Sequence, residues 1–141
     1  MPQAIETAHQ PIVIGNIQLA NRVVLAPMSG VTDLPFRRLA AELGAGLVVS
    51  EMIASRAMVF GNATTLKMAE TEGVAGAPCS VQLAGCEPDV MARAAQMNAD
   101  RGAEIIDINF GCPVKKVAVG QSAGSALMKD EAAAARILEA T

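Results

Sequence analysis

Asn109-Phe110-Gly111-Cys112-Pro113 sets a thiol on a turn just past an apolar run, Ile105-Ile106-Asp107-Ile108. Asn109 closes that run, Gly111 permits tight backbone approach, and Pro113 stops the strand from continuing. A lone cysteine held this way offers nucleophilic attack or proton donation. Attack needs a nearby base, usually a histidine. The single histidine, His9, sits in the first ten residues, so a Cys-His hydrolase is set aside. A thiol that donates a proton needs only a positioned electron-rich partner. A free cysteine is more commonly a small buried hydrophobe, and Cys79 and Cys86 read so.

Other polar or special residues also stand where apolar runs end: Pro27 and Met28, Ser50 and Glu51, and Gln82. Each alone fits a helix cap or a turn. Together they mark the ends of successive strands. Lys115 and Lys116 follow Cys112 in the same loop and form a basic doublet. The other doublet, Arg37-Arg38, reads as solvated charge on a helix surface.

The elements that must carry these residues form a repeating cycle. Residues 1–10 read as a flexible tail. Ile12–Ile14 and Ile17–Leu19 flank Gly15-Asn16 and predict a small hairpin. Val23–Leu25 is a first strand, and a helix capped by Thr32 or Asp33 begins near Pro35. Phe36, Leu39, Ala40 and Leu43 supply its apolar face, and Gly44 its stop. Leu47–Ser50 is a second strand, followed by a loosely patterned helical stretch to Glu70. Ser80–Leu83 is a third, followed by a helix opened by Cys86 or Glu87. Its apolar side is Val90, Met91, Ala94, Ala95 and Met97. Ile105–Asn109 is the fourth strand; a Gly-rich loop over Phe110–Ser125 leads to a last helix from about Asp130.

Four strand-then-helix units with short connections predict parallel, adjacent strands. Two architectures accept them, an open doubly wound sheet or the first half of a (β/α)8 TIM barrel. The GxGxxG phosphate fingerprint is missing after the first strand, where Ala26-Pro27-Met28-Ser29-Gly30 stands instead. The last helix reaches Thr141 with no Gly or Pro stop, and a full barrel takes about 250 residues. The expectation is the N-terminal half of a TIM barrel, spanning 11–141.

Composition narrows the function classes. The 141 residues are 52% hydrophobic with 2% aromatic, all Phe, which suits Val, Ile and Leu strands under Ala-rich helices. Net charge is −3, from eleven Lys and Arg against fourteen Asp and Glu, so any nucleic-acid surface must be local. Three cysteines without CxxC spacing exclude a zinc ribbon or disulfide scaffold. With no signal peptide and no apolar run long enough to span a bilayer, a cytoplasmic protein is expected.

The chain resembles the tRNA-dihydrouridine synthases, most closely the bacterial branch with the loop Gly-Cys-Pro-x-Lys-Lys-Val. The resemblance runs in order through Ala26–Arg37, Ser50-Glu51-Met52, Val81–Gly85, Asp107–Val117 and Gly124–Met128. It implies FMN at a barrel mouth, reduced by NADPH, and reduction of uridine in tRNA to 5,6-dihydrouridine. Cys112 matches the family's general acid and Asn109 a residue that hydrogen-bonds the uracil edge. Pro27 and Met28 match backbone positions against the flavin ring, and Gln82 matches a flavin contact. Lys115 and Lys116 match positions near RNA phosphate. The resemblance also implies flavin contacts and a helical RNA-binding domain beyond this stretch. A related FMN barrel acting on free pyrimidines, or an inactive self-associating half barrel, stands as the alternative.

Overall fold

A computed structural model of the chain describes residues 11–114 and 123–141. His9, Lys115 and Lys116 lie outside the described residues. The hairpin forms as the Gly15-Asn16 pair predicts: β1 (Val13–Ile14) and β2 (Ile17–Gln18) pair antiparallel, with Gly15 at φ +60°. The remaining strands are β3 (Val24–Leu25), β4 (Leu47–Val49), β5 (Ile53–Ala54), β6 (Cys79–Ala84) and β7 (Ile105–Ile108). They make one all-parallel sheet in which β3 pairs β4, β4 and β5 pair β6, and β6 pairs β7. The helices are α1 (Leu34–Glu42), α2 (Ser55–Val59), α3 (Ala63–Met68), α4 (Pro88–Asp100) and α5 (Glu131–Ala140), with a 3₁₀ segment at Gly124–Lys129. These are four strand-helix units of a TIM barrel.

Strand alternation sorts the side chains. Val81, Leu83, Ile106 and Ile108 face the helices, in a core with Ile53, Met58, Met91, Ala94 and Ile137. Leu47, Val49 and Ile105 face the other way, where Leu19 and the hairpin residues Ile12 and Ile17 cover them. Higher on that inner face the residues turn polar: Ser80 and Gln82 on β6, Asp107 on β7.

The structure corrects three expectations. The stretch after β4 is not one helix to Glu70. It resumes as β5 and then breaks into α2 and α3, because Gly61 takes φ +73° and Asn62 caps α3 by accepting from Thr65 N at 3.0 Å. The apolar face of α1 is also reassigned. Phe36, Leu39 and Leu43 are 39%, 51% and 80% exposed, whereas Arg37 and Ala41 are buried. The surface of β4 and β6 beneath α1 is met by a close-packed row of small residues, with Ala41 and Ala45 against Val48 and Cys79. The wide apolar ridge of α1 therefore points outward.

Third, Arg37 is not solvated: it is fully buried. Its guanidinium donates to Thr32 O, Met68 O and Cys79 Sγ, each at 3.1 Å. A buried cation must satisfy its donors, and here carbonyls and a sulfur do so. Among the described residues no carboxylate lies within ion-pair distance of it. Arg38 also turns inward, donating to Glu72 O at 2.7 Å.

Candidate active site at the strand rim

At the end of β3 the chain enters a turn closed on Met28. Met28 O accepts from Val31 N and Thr32 N, both at 3.0 Å. Fully buried Thr32 adds its hydroxyl, accepting from Met28 N at 3.0 Å and donating to Met28 O at 3.2 Å. Asp33 is the cap of α1, accepting from Phe36 N at 3.0 Å, which frees Thr32 for this work. The backbone groups of Met28 are thus engaged within the turn. What Met28 offers a ligand is its partly exposed side chain.

Glu51 joins this turn to the next strand, its carboxylate accepting from Gly30 N. Glu51 reaches there because of a bulge. Val49 pairs Ser80 and Ile53 pairs Leu83, so residues 50–52 stand opposite only residues 81–82. A bulge breaks the ladder and re-aims a side chain. Ser50 repairs the break: its hydroxyl accepts from Gln82 N at 3.0 Å and donates to Glu51 O at 2.8 Å.

Gln82 opens the second half of the arc. Its Nε2 donates to Asp107 Oδ2 at 2.6 Å, across the β6–β7 register that pairs the two residues. Its Oε1 accepts from Asn109 Nδ2 at 2.9 Å. Asn109 Oδ1 then accepts from Gly111 N at 3.1 Å and Cys112 N at 2.9 Å, holding the turn that carries the thiol. Cys112 O in turn accepts from Ser125 N at 3.0 Å, so both backbone polar groups of Cys112 are anchored. Cys112 itself is half-buried.

One hydrogen-bonded arc therefore runs from the turn after β3 across the ends of β4, β6 and β7, through Gly30, Glu51, Ser50, Gln82, Asn109 and Cys112, with Asp107 bonded to Gln82. Gln82, Asn109 and Cys112 are brought together directly, while Pro27 and Met28 stand on the same rim two strands away. A hollow of about 400 Å³ opens below, lined by Val24, Pro27, Val49, Ile105 and Asp107 among others. Gly111 has no local steric need to be glycine. A Cβ there would meet nothing within 4 Å, and its φ is not among the positive ones. Gly85 differs: a Cβ there would lie 2.2 Å from Ser55 Oγ and 2.8 Å from Met91 Sδ.

Four residues at this rim exceed their reading from sequence: Thr32, Ser50, Glu51 and Asp107. The signal for Asp107 was present, since Asp107 and Asn109 alternate in step with Ser80 and Gln82 on one face.

A model of the dihydrouridine synthase (Dus) family matches residues 24–141. The chain belongs to the dihydrouridine synthase family. Among curated relatives of this family, a probable tRNA-dihydrouridine synthase of Rickettsia conorii is 61% identical over 130 residues, covering 92% of this chain and 39% of the relative. Another of that name, from Rhodobacter capsulatus, is 54% identical over 129 residues, 92% of this chain and 40% of its own length. The tRNA-dihydrouridine synthase B of Pseudomonas aeruginosa is 51% identical over 127 residues, 90% and 38%. The chain thus spans about two fifths of the length of the curated relatives it matches. The family match takes in every strand of the parallel sheet and the whole polar arc.

Proposed function

We propose that this chain carries the catalytic rim of a tRNA-dihydrouridine synthase, reducing uridine in tRNA to 5,6-dihydrouridine with Cys112 as general acid. The observation that carries the reading is the amide link from Gln82 through Asn109 to the Cys112 turn. It fixes the backbone of the turn that carries the thiol, on a barrel rim, in a chain of this family.

The rim suits a flavin in part. Gln82 keeps one N–H beyond its bond to Asp107, Pro27 lines the hollow, and Met28 presents an apolar side chain to a ring face. A phosphate-binding cradle is not among these residues; barrel phosphate sites commonly follow the seventh and eighth strands. FMN, reduced by NADPH, would supply hydride to carbon 6 of the uracil.

The chain's own residues do the rest. Asn109, its oxygen committed to the turn, offers an N–H to a carbonyl on the uracil edge. Cys112 Sγ gives its proton to carbon 5 from the opposite face, and the thiolate left behind regains a proton from water. Hydride and proton together saturate the 5,6 bond. A uridine must leave its stack to reach this rim. Lys115 and Lys116, next along the chain, would meet RNA phosphate by counterion release. Among the described residues no helix is long and apolar enough to cross a membrane.

The test is the visible absorption spectrum of the purified chain with and without FMN, followed by turnover on unmodified tRNA. Bound flavin and dihydrouridine formation that Cys112→Ala abolishes would support the reading. A colourless chain at high FMN concentration would leave an inactive half barrel. Reduction of free pyrimidines in preference to tRNA would point to the other flavin barrels.

A further inference from the structure

Asp107 has no part in the chemistry proposed above, yet it anchors one end of the amide relay, whose other end is held by the N–H groups of Gly111 and Cys112. A carboxylate accepts hydrogen bonds and does not donate them, whereas an amide can present either end. Gln82 must therefore turn its nitrogen to Asp107, which it does at 2.6 Å. Its oxygen then faces Asn109, so Asn109 must answer with nitrogen, at 2.9 Å. The oxygen of Asn109 is left to face the N–H groups of Gly111 and Cys112. Each link has one allowed polarity once the first acceptor is set. The assignment does not depend on telling amide nitrogen from oxygen by position, because only this order satisfies every member.

We infer that Asp107 is a positioning residue that locks the polarity of the Gln82–Asn109 relay at the end away from the Cys112 turn, and through the relay steadies that turn. Reversed, the relay would aim an N–H of Asn109 at the N–H groups of Gly111 and Cys112, and the turn would lose its acceptor. In the polarity set by Asp107, Gln82 and Asn109 each keep one N–H outside the relay. The rim then favours ring edges that carry carbonyl oxygens over edges that carry amino groups. This selectivity rests on the reading of Asn109 and Cys112 given above; the polarity itself rests on hydrogen-bond geometry alone.

Amide hydrogen exchange on the full ¹⁵N-labelled chain tests it. Asp107→Asn lets Gln82 adopt both orientations, so the Gly111 and Cys112 amides should exchange about tenfold faster, with the Val81 and Ile106 ladder amides unchanged. Combining Asp107→Asn with Gln82→Glu moves the acceptor one place along while keeping it against Asn109, and should restore slow exchange. Gln82→Glu alone sets two carboxylates opposite each other and should not. Unchanged exchange at Gly111 and Cys112 in Asp107→Asn would overturn the inference. So would equal loss along the ladder, which marks a merely structural role, or failure of the double variant to restore protection. Exchange is read without flavin or tRNA, so an inactive chain with this pattern would sink the proposed reaction and leave the role of Asp107 standing.

Discussion

Cys112 is positioned by its backbone: Asn109 holds its N–H and Ser125 donates to its carbonyl, leaving the side chain outside both bonds. Gly111 beside it has open space where a Cβ would stand. Gly111→Ala is therefore expected to change stability by no more than about 0.5 kcal/mol in urea unfolding, as for a surface site. If a ring or nucleotide packs against that backbone, the same variant will weaken flavin or tRNA binding at unchanged stability. Cys79 behaves differently. Burial pushes its thiol above the ordinary value of 9.0, with the Arg37 guanidinium opposing and Glu104 adding to the rise. The folded state thus favours the protonated thiol. Its contribution is complete below pH 9.0 and is lost as pH climbs past that value toward the raised one, since the unfolded chain gives up its proton first. Unfolding midpoints measured from pH 8 to about pH 10.5 should fall in the parent and fall less in Cys79→Ala.

At the scale of elements, the bulge between β4 and β5 shapes the rim. Ser50 is fully buried, and its hydroxyl supplies the acceptor that Gln82 N lost from the ladder. Ser50→Ala would leave that N–H buried and unpaired, at a cost of about 1–3 kcal/mol. Its unfolding midpoint should drop accordingly, and the Gln82 backbone amide should exchange faster than its neighbours on β6. Where β6 ends, Gly85 lies against Ser55 and Met91, so Gly85→Ala must push α2 or α4 away from the sheet. Overpacking of this kind costs about 1–3 kcal/mol. A Gly85→Ala chain as stable as the parent would show that the junction yields freely. The α1 helix shows why its face was misread from sequence. Periodicity marked Phe36, Leu39 and Leu43 as one apolar stripe, which is correct as a helical pattern. A pattern says which residues share a face, not which face meets the sheet.

For the whole molecule, the four-unit sheet has two free edges, since β3 and β7 each have one strand neighbour among the described residues. Exposed Val23 and Val24 line one edge, with the Phe36–Leu39–Leu43 ridge of α1 nearby in sequence. Ile106 and the small residues Ala92, Ala95, Ala99 and Ala140 line a groove at the other side. Unpaired parallel edges and apolar surface favour association. The isolated chain is expected to sediment as a dimer or larger species at micromolar concentration, and Leu39→Lys with Leu43→Lys should shift it toward monomer. A strictly monomeric parent chain would refute this.

The order of strands and helices outside residues 51–70, the hairpin at Gly15-Asn16 and the rim positions of Gln82, Asn109 and Cys112 were legible in the sequence. They depend on local signals: turn residues, caps, and apolar runs ended by polar groups. The family motifs tied those signals together. Only the tertiary structure decided that Arg37 is buried against carbonyls and a thiol, that Ser50 mends a bulge, and that Asp107 orients two amides. Each of these involves partners 25 to 42 residues apart in sequence, brought together by strand register and helix packing. Local patterns carry no information about which distant acceptor a donor will meet, so the polar arc became visible only once the strands were side by side.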